Sequence, residues 1–169
     1  MKISLIGYMG SGKTTVGKIL AEKLNFNFYD LDTLLVENEN DSIHDIFKKK
    51  GELSFRKKEH SMLNKILKQK KNMFYQLEEG LLVFIIIFIC NKYSNTFYLK
   101  TDSYTLFKRL FLEKTTRPLI SHLSKNELFI FIMKHLSKRI YFYEKSLKKI
   151  DISKKTQHEI VQEIVKFVS

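Results

Sequence analysis

Closely spaced glycines followed by a lysine and a threonine are residue types suited to binding phosphate. The chain holds them at residues 7–14, as Gly7-Tyr8-Met9-Gly10-Ser11-Gly12-Lys13-Thr14. The spacing fits G-x-x-x-x-G-K-[ST] at every fixed position. Glycine lets the backbone turn tightly and aim successive N–H groups at one point. In such a loop Lys13 reaches the β- and γ-phosphates of a nucleotide, and the Thr14 hydroxyl faces Mg²⁺. An ordinary glycine-rich turn would leave the Lys-Thr pair as an accident.

Other residues with chemistry in them lie further along. Asp30 and Asp32 stand at i and i+2. At the end of a strand two such carboxylates reach one site, while a turn or helix cap explains the spacing equally well. Arg56 and Glu59 fall in the first turns of a helix, and Arg56 alone reads as a surface arginine. Arg117 belongs to Arg117-Pro118-Leu119, which holds the only proline. It sits in a polar stretch, about 112–125, that reads either as a mobile lid carrying charge to a closed site or as a plain connection. Arg139 and Tyr143, at i and i+4, share a helix face. The histidines show no metal-binding spacing such as H-E-x-x-H.

The elements that must position these residues are visible in the pattern. Residues 3–6 form an apolar run suited to a buried strand. Val16, Ile19, Leu20 and Leu24 recur at helical spacing after the loop, so the helix start adds its positive dipole end to a phosphate site. Residues 27–29 read as a second strand running to Asp30-Leu31-Asp32. Ser42 to Asp45 resembles a capping box, opening a helix that ends near Gly51, with a longer helix over about 52–70. Residues 73–77 read as a third strand, 96–99 as a fourth and 149–152 as a fifth. The apolar run 81–90 is about half the length needed to span a bilayer and reads as a buried strand or helix. Helices are expected over 103–113, from 125 to about 147, and from a second capping box at Thr156 to Glu159. Strands alternating with helices imply an α/β domain with a parallel sheet covered on both faces.

With 169 residues, 44% of them hydrophobic, the chain fits one domain with a sizeable core. The single cysteine, Cys90, excludes an internal disulfide. The glycine loop interrupts the apolar start, so no secretory leader is expected, and the setting reads as cytoplasmic. The net charge of +12 could attract nucleic acid or anionic membrane. The lysines are scattered along solvated helix flanks and no aromatic-interleaved basic motif stands out, so neither partner is expected.

Taken in order, the motifs resemble the shikimate kinase family over nearly the whole chain. The resemblance rests on Gly7 to Lys18, on Phe28-Tyr29-Asp30-Leu31-Asp32, on Ser42-Ile43 through Ile46-Phe47, and on Gly51-Glu52 with Phe55-Arg56-Lys57-Lys58-Glu59. Arg117-Pro118-Leu119 and Arg139 with Tyr143-Glu144 complete it. The loop alone marks only a nucleotide-binding protein; the ordered set is far more specific. The resemblance implies a P-loop kinase three-layer sandwich with a five-stranded parallel sheet and a mobile lid, acting as a monomer. It implies phosphorylation of the 3-hydroxyl of shikimate by ATP with Mg²⁺, in aromatic amino-acid synthesis. Gly10, Ser11, Gly12, Lys13, Thr14 and Thr15 would cradle the phosphates. Thr14 and Asp30 would serve the metal, and Arg109 would lie against the adenine. Asp32 would hydrogen-bond the attacking hydroxyl, and Arg117 would face the transferring phosphoryl group. Arg56 and Arg139 would hold the substrate carboxylate, with Glu79 and Gly80 in the same pocket. The family has three glycines where this chain has Glu78, Glu79 and Gly80, which implies an enzyme of reduced efficiency. An eroded, non-catalytic nucleotide-binding protein and another small-molecule kinase on this fold are the alternatives.

Overall fold

A computed structural model describes residues 1–68, 73–76, 83–117 and 119–168. The elements run β1 (Lys2–Ile6), α1 (Lys13–Leu24), β2 (Asn27–Asp30), α2 (Leu31–Glu39), α3 (Ile43–Leu67), β3 (Met73–Gln76) and α4 (Val83–Tyr93). They continue with β4 (Asn95–Lys100), α5 (Ser103–Glu113), a 3-10 turn (Lys114–Thr116), α6 (Lys125–Tyr143), β5 (Lys148–Asp151) and α7 (Gln157–Val168). The five strands lie in the order β2-β3-β1-β4-β5, and every pairing is parallel. The expected sheet is therefore the observed one.

β1 is the central strand. Its side chains alternate between two cores, as the period of a strand requires. Ile3 and Leu5 join Val16, Leu20, Phe97, Ile160 and Ile164 on the α1/α7 face. Ile6 and Tyr98 join Leu31, Leu63, Leu106, Ile132 and Tyr143 on the face covered by α2 to α6. Both faces of β1 are thus out of water, which suits its near-continuous apolar run. Ser4, also fully buried, places its hydroxyl 2.7 Å from that of Ser94.

Because all strands point the same way, their carboxyl ends share one edge of the sheet. β1 leads there into the glycine loop, with β3 on one side and β4 on the other. The chain leaves β1 for β2 in one direction and later crosses to β4 in the other, so the loop opens at a topological switch point.

Four places differ from, or sharpen, the sequence reading. β2 stops at Asp30, and a helix unforeseen in the sequence, α2, starts at Leu31 and buries Leu31 and Leu35. From Val83 on, the ambiguous apolar run is helical and buries Ile86, Ile87, Ile89 and Cys90; residues 81 and 82 lie outside the described residues. Among the described residues no helix is long and apolar enough to cross a membrane. α3 carries the expected break at Gly51, whose φ of 75° and ψ of 164° leave helical space. Side chains with a Cβ rarely adopt that φ, so glycine there permits two helices to follow one another without a loop. α6 ends at Tyr143, four residues before the expected limit, where Ser146 N bonds the Tyr143 carbonyl at 3.0 Å and turns the chain toward β5.

Glu39 clips α2 to both halves of α3. Its Oε2 accepts from Lys50 Nζ at 2.6 Å and from Lys58 Nζ, one on each side of Gly51. The Lys50 and Lys58 hydrogen bonds pull the Glu39 carboxyl from 4.5 down to about 2. A carboxylate held below its unfolded value adds stability above about pH 4.5 and loses it as pH falls toward 2. We expect Glu39→Gln to lower Tm at pH 7, and the gap from wild type to close between pH 4.5 and 2. Thermal melts across that window check it; a gap constant with pH would remove the ion pair from the account.

Candidate active site

The glycine loop is built as a cradle. Ser11 N donates to Tyr8 O at 3.0 Å, closing a tight turn, and Val16 N donates to Gly12 O at 3.0 Å, opening α1. Gly10 has a φ of 77° and lies against α5: a Cβ there would meet Leu110 Cγ at 3.0 Å. Gly12 caps α1 in the left-handed region.

Lys13 is 4% exposed, and its ammonium donates to the carbonyls of Gly7 at 2.7 Å and Tyr8 at 3.1 Å. A buried ammonium needs oxygen partners, and these two hold it inside the loop. Ser11 Oγ is buried in the same loop without a hydrogen-bond partner in the structure. A polar atom left so in a native protein invites a ligand atom or water.

A cavity of about 610 Å³ opens over the loop. Residues 10–16 form one wall. Arg109, Glu113 and Arg117 form a second, and residues 155–158, at the start of α7, form a third. The volume is that of a site for a molecule of nucleotide size. Arg109 Nη1 donates to Gly10 O at 3.3 Å. Arg117 donates through Nε at 3.3 Å and Nη2 at 2.8 Å, both to Glu113 Oε2. Loop amides, a helix start, a buried ammonium and two guanidinium groups form a donor set that fits a polyphosphate. Among the described residues no group of three or more His, Cys, Asp or Glu is placed to hold a metal ion on its own.

The structure therefore brings together Gly10, Ser11, Gly12, Lys13, Thr14, Thr15, Arg109 and Arg117. Asp30, Asp32 and Arg139 are not on that wall. Asp30 is the N-cap of α2: its Oδ1 accepts from Asp32 N at 3.1 Å and Thr33 N at 3.4 Å. The helix cap is therefore present, and it leaves Asp32 on the first turn of α2 beside it. Asp32 stands in the first turn of α2, where the helix dipole favours a negative charge. Arg139 is half-buried on α6, one turn from the buried Tyr143, whose ring centroid lies 5.1 Å from that of Tyr98. Arg56 lies in α3 just past the Gly51 break, and its side chain is outside the described part, as are residues 78–80 and Pro118.

Two features near the candidate residues, and the burial of a third, Glu59, carried little or no sequence signal. Glu59 is fully buried three residues after Arg56, on the same side of α3; a buried carboxylate at that spacing calls for a cation. His135 stacks on Phe131 at 4.1 Å one turn before Arg139, and burial, then the Arg139 and Lys138 charges, push its imidazole pKa down. The α7 start joins the cavity because β5 ends beside β4, a neighbourhood that only the strand order reveals. Its cap is firm: Thr156 N donates to Glu159 Oε2 at 2.7 Å, and Glu159 N donates to Thr156 Oγ1 at 3.3 Å.

A parallel sheet with its phosphate loop at the switch point and a donor-lined cavity above it defines the P-loop nucleotide-binding class. The sequence matches the shikimate kinase family profile over residues 9–169. It is 37% identical over 169 residues to the shikimate kinase of Flavobacterium psychrophilum, covering 99% of this chain and 98% of that one. The fold superposes on shikimate kinase from Bacteroides thetaiotaomicron with a TM-score of 0.91 at 31% identity, covering 99% and 98% of the two chains. It matches shikimate kinase from Acinetobacter baumannii, solved in complex with shikimate, with a TM-score of 0.86 at 28% identity, covering 99% and 92%. The chain belongs to the shikimate kinase family.

The loop geometry gives a direct check. Gly10→Ala forces a Cβ into a left-handed φ and against Leu110. We expect a loss of about 1–2 kcal/mol from the backbone alone, and weaker nucleotide binding. Denaturant melts and nucleotide titration measure both; an unchanged Tm with unchanged binding would mean the loop tolerates a different shape.

Proposed function

We propose that this chain transfers the γ-phosphoryl group of ATP to the 3-hydroxyl of shikimate. The observation that carries the reading is the joining of the glycine loop, buried Lys13, Arg109 and Arg117 around one nucleotide-sized cavity, in a chain of this family.

Phosphoryl transfer passes through a loose transition state with charge spread over oxygens, so positioning and cations do most of the work. Loop amides and the α1 start hold the β- and γ-phosphates. Lys13, already partnered by two carbonyls, keeps further donor capacity for the phosphate oxygens, since an ammonium has three N–H groups. Mg²⁺, when bound, would neutralise charge on the phosphates; Thr14, which lines the cavity, would offer it a hydroxyl, and Asp30 would serve it from the start of α2. Magnesium sites of this kind use few protein oxygens and rely on substrate phosphates. Asp32 orients the attacking hydroxyl and takes its proton late. Arg117 faces the transferring group from the proposed lid, and Arg109 lies along the base. Arg56 and Arg139 grip the acceptor carboxylate, which suits the planar fork of arginine. The lid keeps water from competing as acceptor. We place the enzyme in the cytoplasm and in chorismate formation, acting as a monomer.

Glu78 and Glu79 stand where the family uses glycine. One carboxylate about 5 Å from the bound acid or the γ-phosphate repels it by roughly 3 kcal/mol at an effective dielectric near 20. That is on the order of a hundredfold in rate or affinity. Replacing both with glycine is therefore expected to raise kcat/KM for shikimate. A folded double variant no better than wild type would clear the glutamates of any handicap.

The acceptor is tested by an ATP-dependent panel of shikimate, an analogue lacking the carboxylate, and nucleoside monophosphates. Shikimate is expected to be the preferred acceptor. Arg56→Ala should cost shikimate roughly 2–5 kcal/mol of binding and leave ATP binding nearly intact. Preference for a nucleoside monophosphate would overturn the acceptor assignment and leave the nucleotide site standing.

A further inference from the structure

Glu113 is an odd residue to find on the wall of a phosphate site. It is the last residue of α5, where the negative end of the helix dipole disfavours a carboxylate, and it lines the cavity beside Arg109 and Arg117. It serves neither the helix end nor an incoming anion. What it does is hold Arg117: one oxygen, Oε2, takes both Nε and Nη2.

The Arg117 backbone is fixed from both sides. Its N–H donates to Lys114 O at 3.1 Å, and its carbonyl accepts from Ile120 N at 3.1 Å and Ser121 N at 2.9 Å. Ile120 is fully buried in the larger core. The Arg117 backbone thus sits in a local turn, and the guanidinium's path to a phosphate starts from Glu113.

We propose that Glu113 is the resting counter-ion of Arg117 and that nucleotide binding is an exchange, in which the triphosphate takes the guanidinium away from the carboxylate. This rests on the nucleotide site proposed above. The Glu113–Arg117 pair is half exposed, at 54% and 33% for the two side chains, and pairs of that kind shift an equilibrium by only about twofold. It is weak enough to yield. The carboxylate then faces the phosphates unneutralised, which adds repulsion. Glu113 thereby acts as a positioning residue that sets where Arg117 rests and lowers nucleotide affinity.

The test is direct titration of AMP-PNP with Mg²⁺ into wild type, Glu113→Gln, Arg117→Gln and the double variant. It is paired with steady-state KM and kcat for ATP in the two proteins that keep Arg117. Exchange predicts that Glu113→Gln binds AMP-PNP roughly three- to tenfold more tightly, with an equal fall in KM for ATP and little change in kcat. The gain should be at least twofold smaller in the Arg117→Gln background, and should shrink at high salt, which screens exposed charges. Tm should not fall, since the substitution removes an unfavourable charge from a helix end. Equal tightening in both backgrounds would reduce Glu113 to a plain repulsive charge and overturn the exchange. Unchanged affinity, or a lower kcat, would overturn it too. A wild type that binds no AMP-PNP would instead sink the nucleotide site itself.

Discussion

A buried ammonium has to be surrounded by oxygen, and the glycine loop exists in this chain in a form that provides it. Lys13 is enclosed because Gly7 and Tyr8 turn their carbonyls onto it. They can do so because β1 delivers the loop from the middle of the sheet, with both faces of the strand already packed. The loop is therefore as rigid as the core beneath it. Gly10 lies against Leu110 of α5, so the same contact registers the loop against the helix that carries Arg109 and Glu113. The loop amides and the Arg109 guanidinium are set relative to each other by packing and by the Arg109–Gly10 hydrogen bond, a pre-organisation of the kind electrostatic catalysis demands, whereas Arg117 rests on Glu113.

The acceptor side is assembled differently. Asp30 ends β2 and caps α2 in one stroke, so the strand-to-helix corner that positions Asp32 depends on that one side chain. α2 is clipped to α3 on both sides of the Gly51 break through Glu39, and α3 carries Arg56 and buried Glu59. These polar fastenings add to the apolar packing of Leu31, Leu35, Ile46 and Leu63, which seats α2 and α3 in the larger core. Polar, partly exposed contacts yield more easily to pH and salt than a packed core does. The Glu39 contacts are thus the part of this corner most exposed to pH and salt.

Much of this could be read from the residues, for identifiable reasons. The glycine loop and five strands carry patterns of period and composition that survive without a structure. α2 escaped because Asp30-Leu31-Asp32 continues a strand as plausibly as it caps a helix, and the Leu31/Leu35 pair is too short a stripe to decide. The run ending at Cys90 is apolar all round, so it has no period to betray a helix. The α7 wall of the cavity needs the β4–β5 neighbourhood, a long-range fact that no local pattern encodes. Glu113 went unremarked because an acid four residues before an arginine is ordinary on a helix surface; only its place on the cavity wall makes it informative.

The central claim is that the buried lysine in a pre-built loop drives phosphoryl transfer to shikimate. It is tested most directly by ³¹P NMR of wild type and Lys13→Ala, each incubated with ATP, Mg²⁺ and shikimate, with circular dichroism to establish that both are folded. The account predicts a phosphomonoester on the 3-hydroxyl of shikimate from wild type and none from the folded variant. A variant that forms the ester at a rate near wild type, or a wild type that releases only inorganic phosphate, would contradict it.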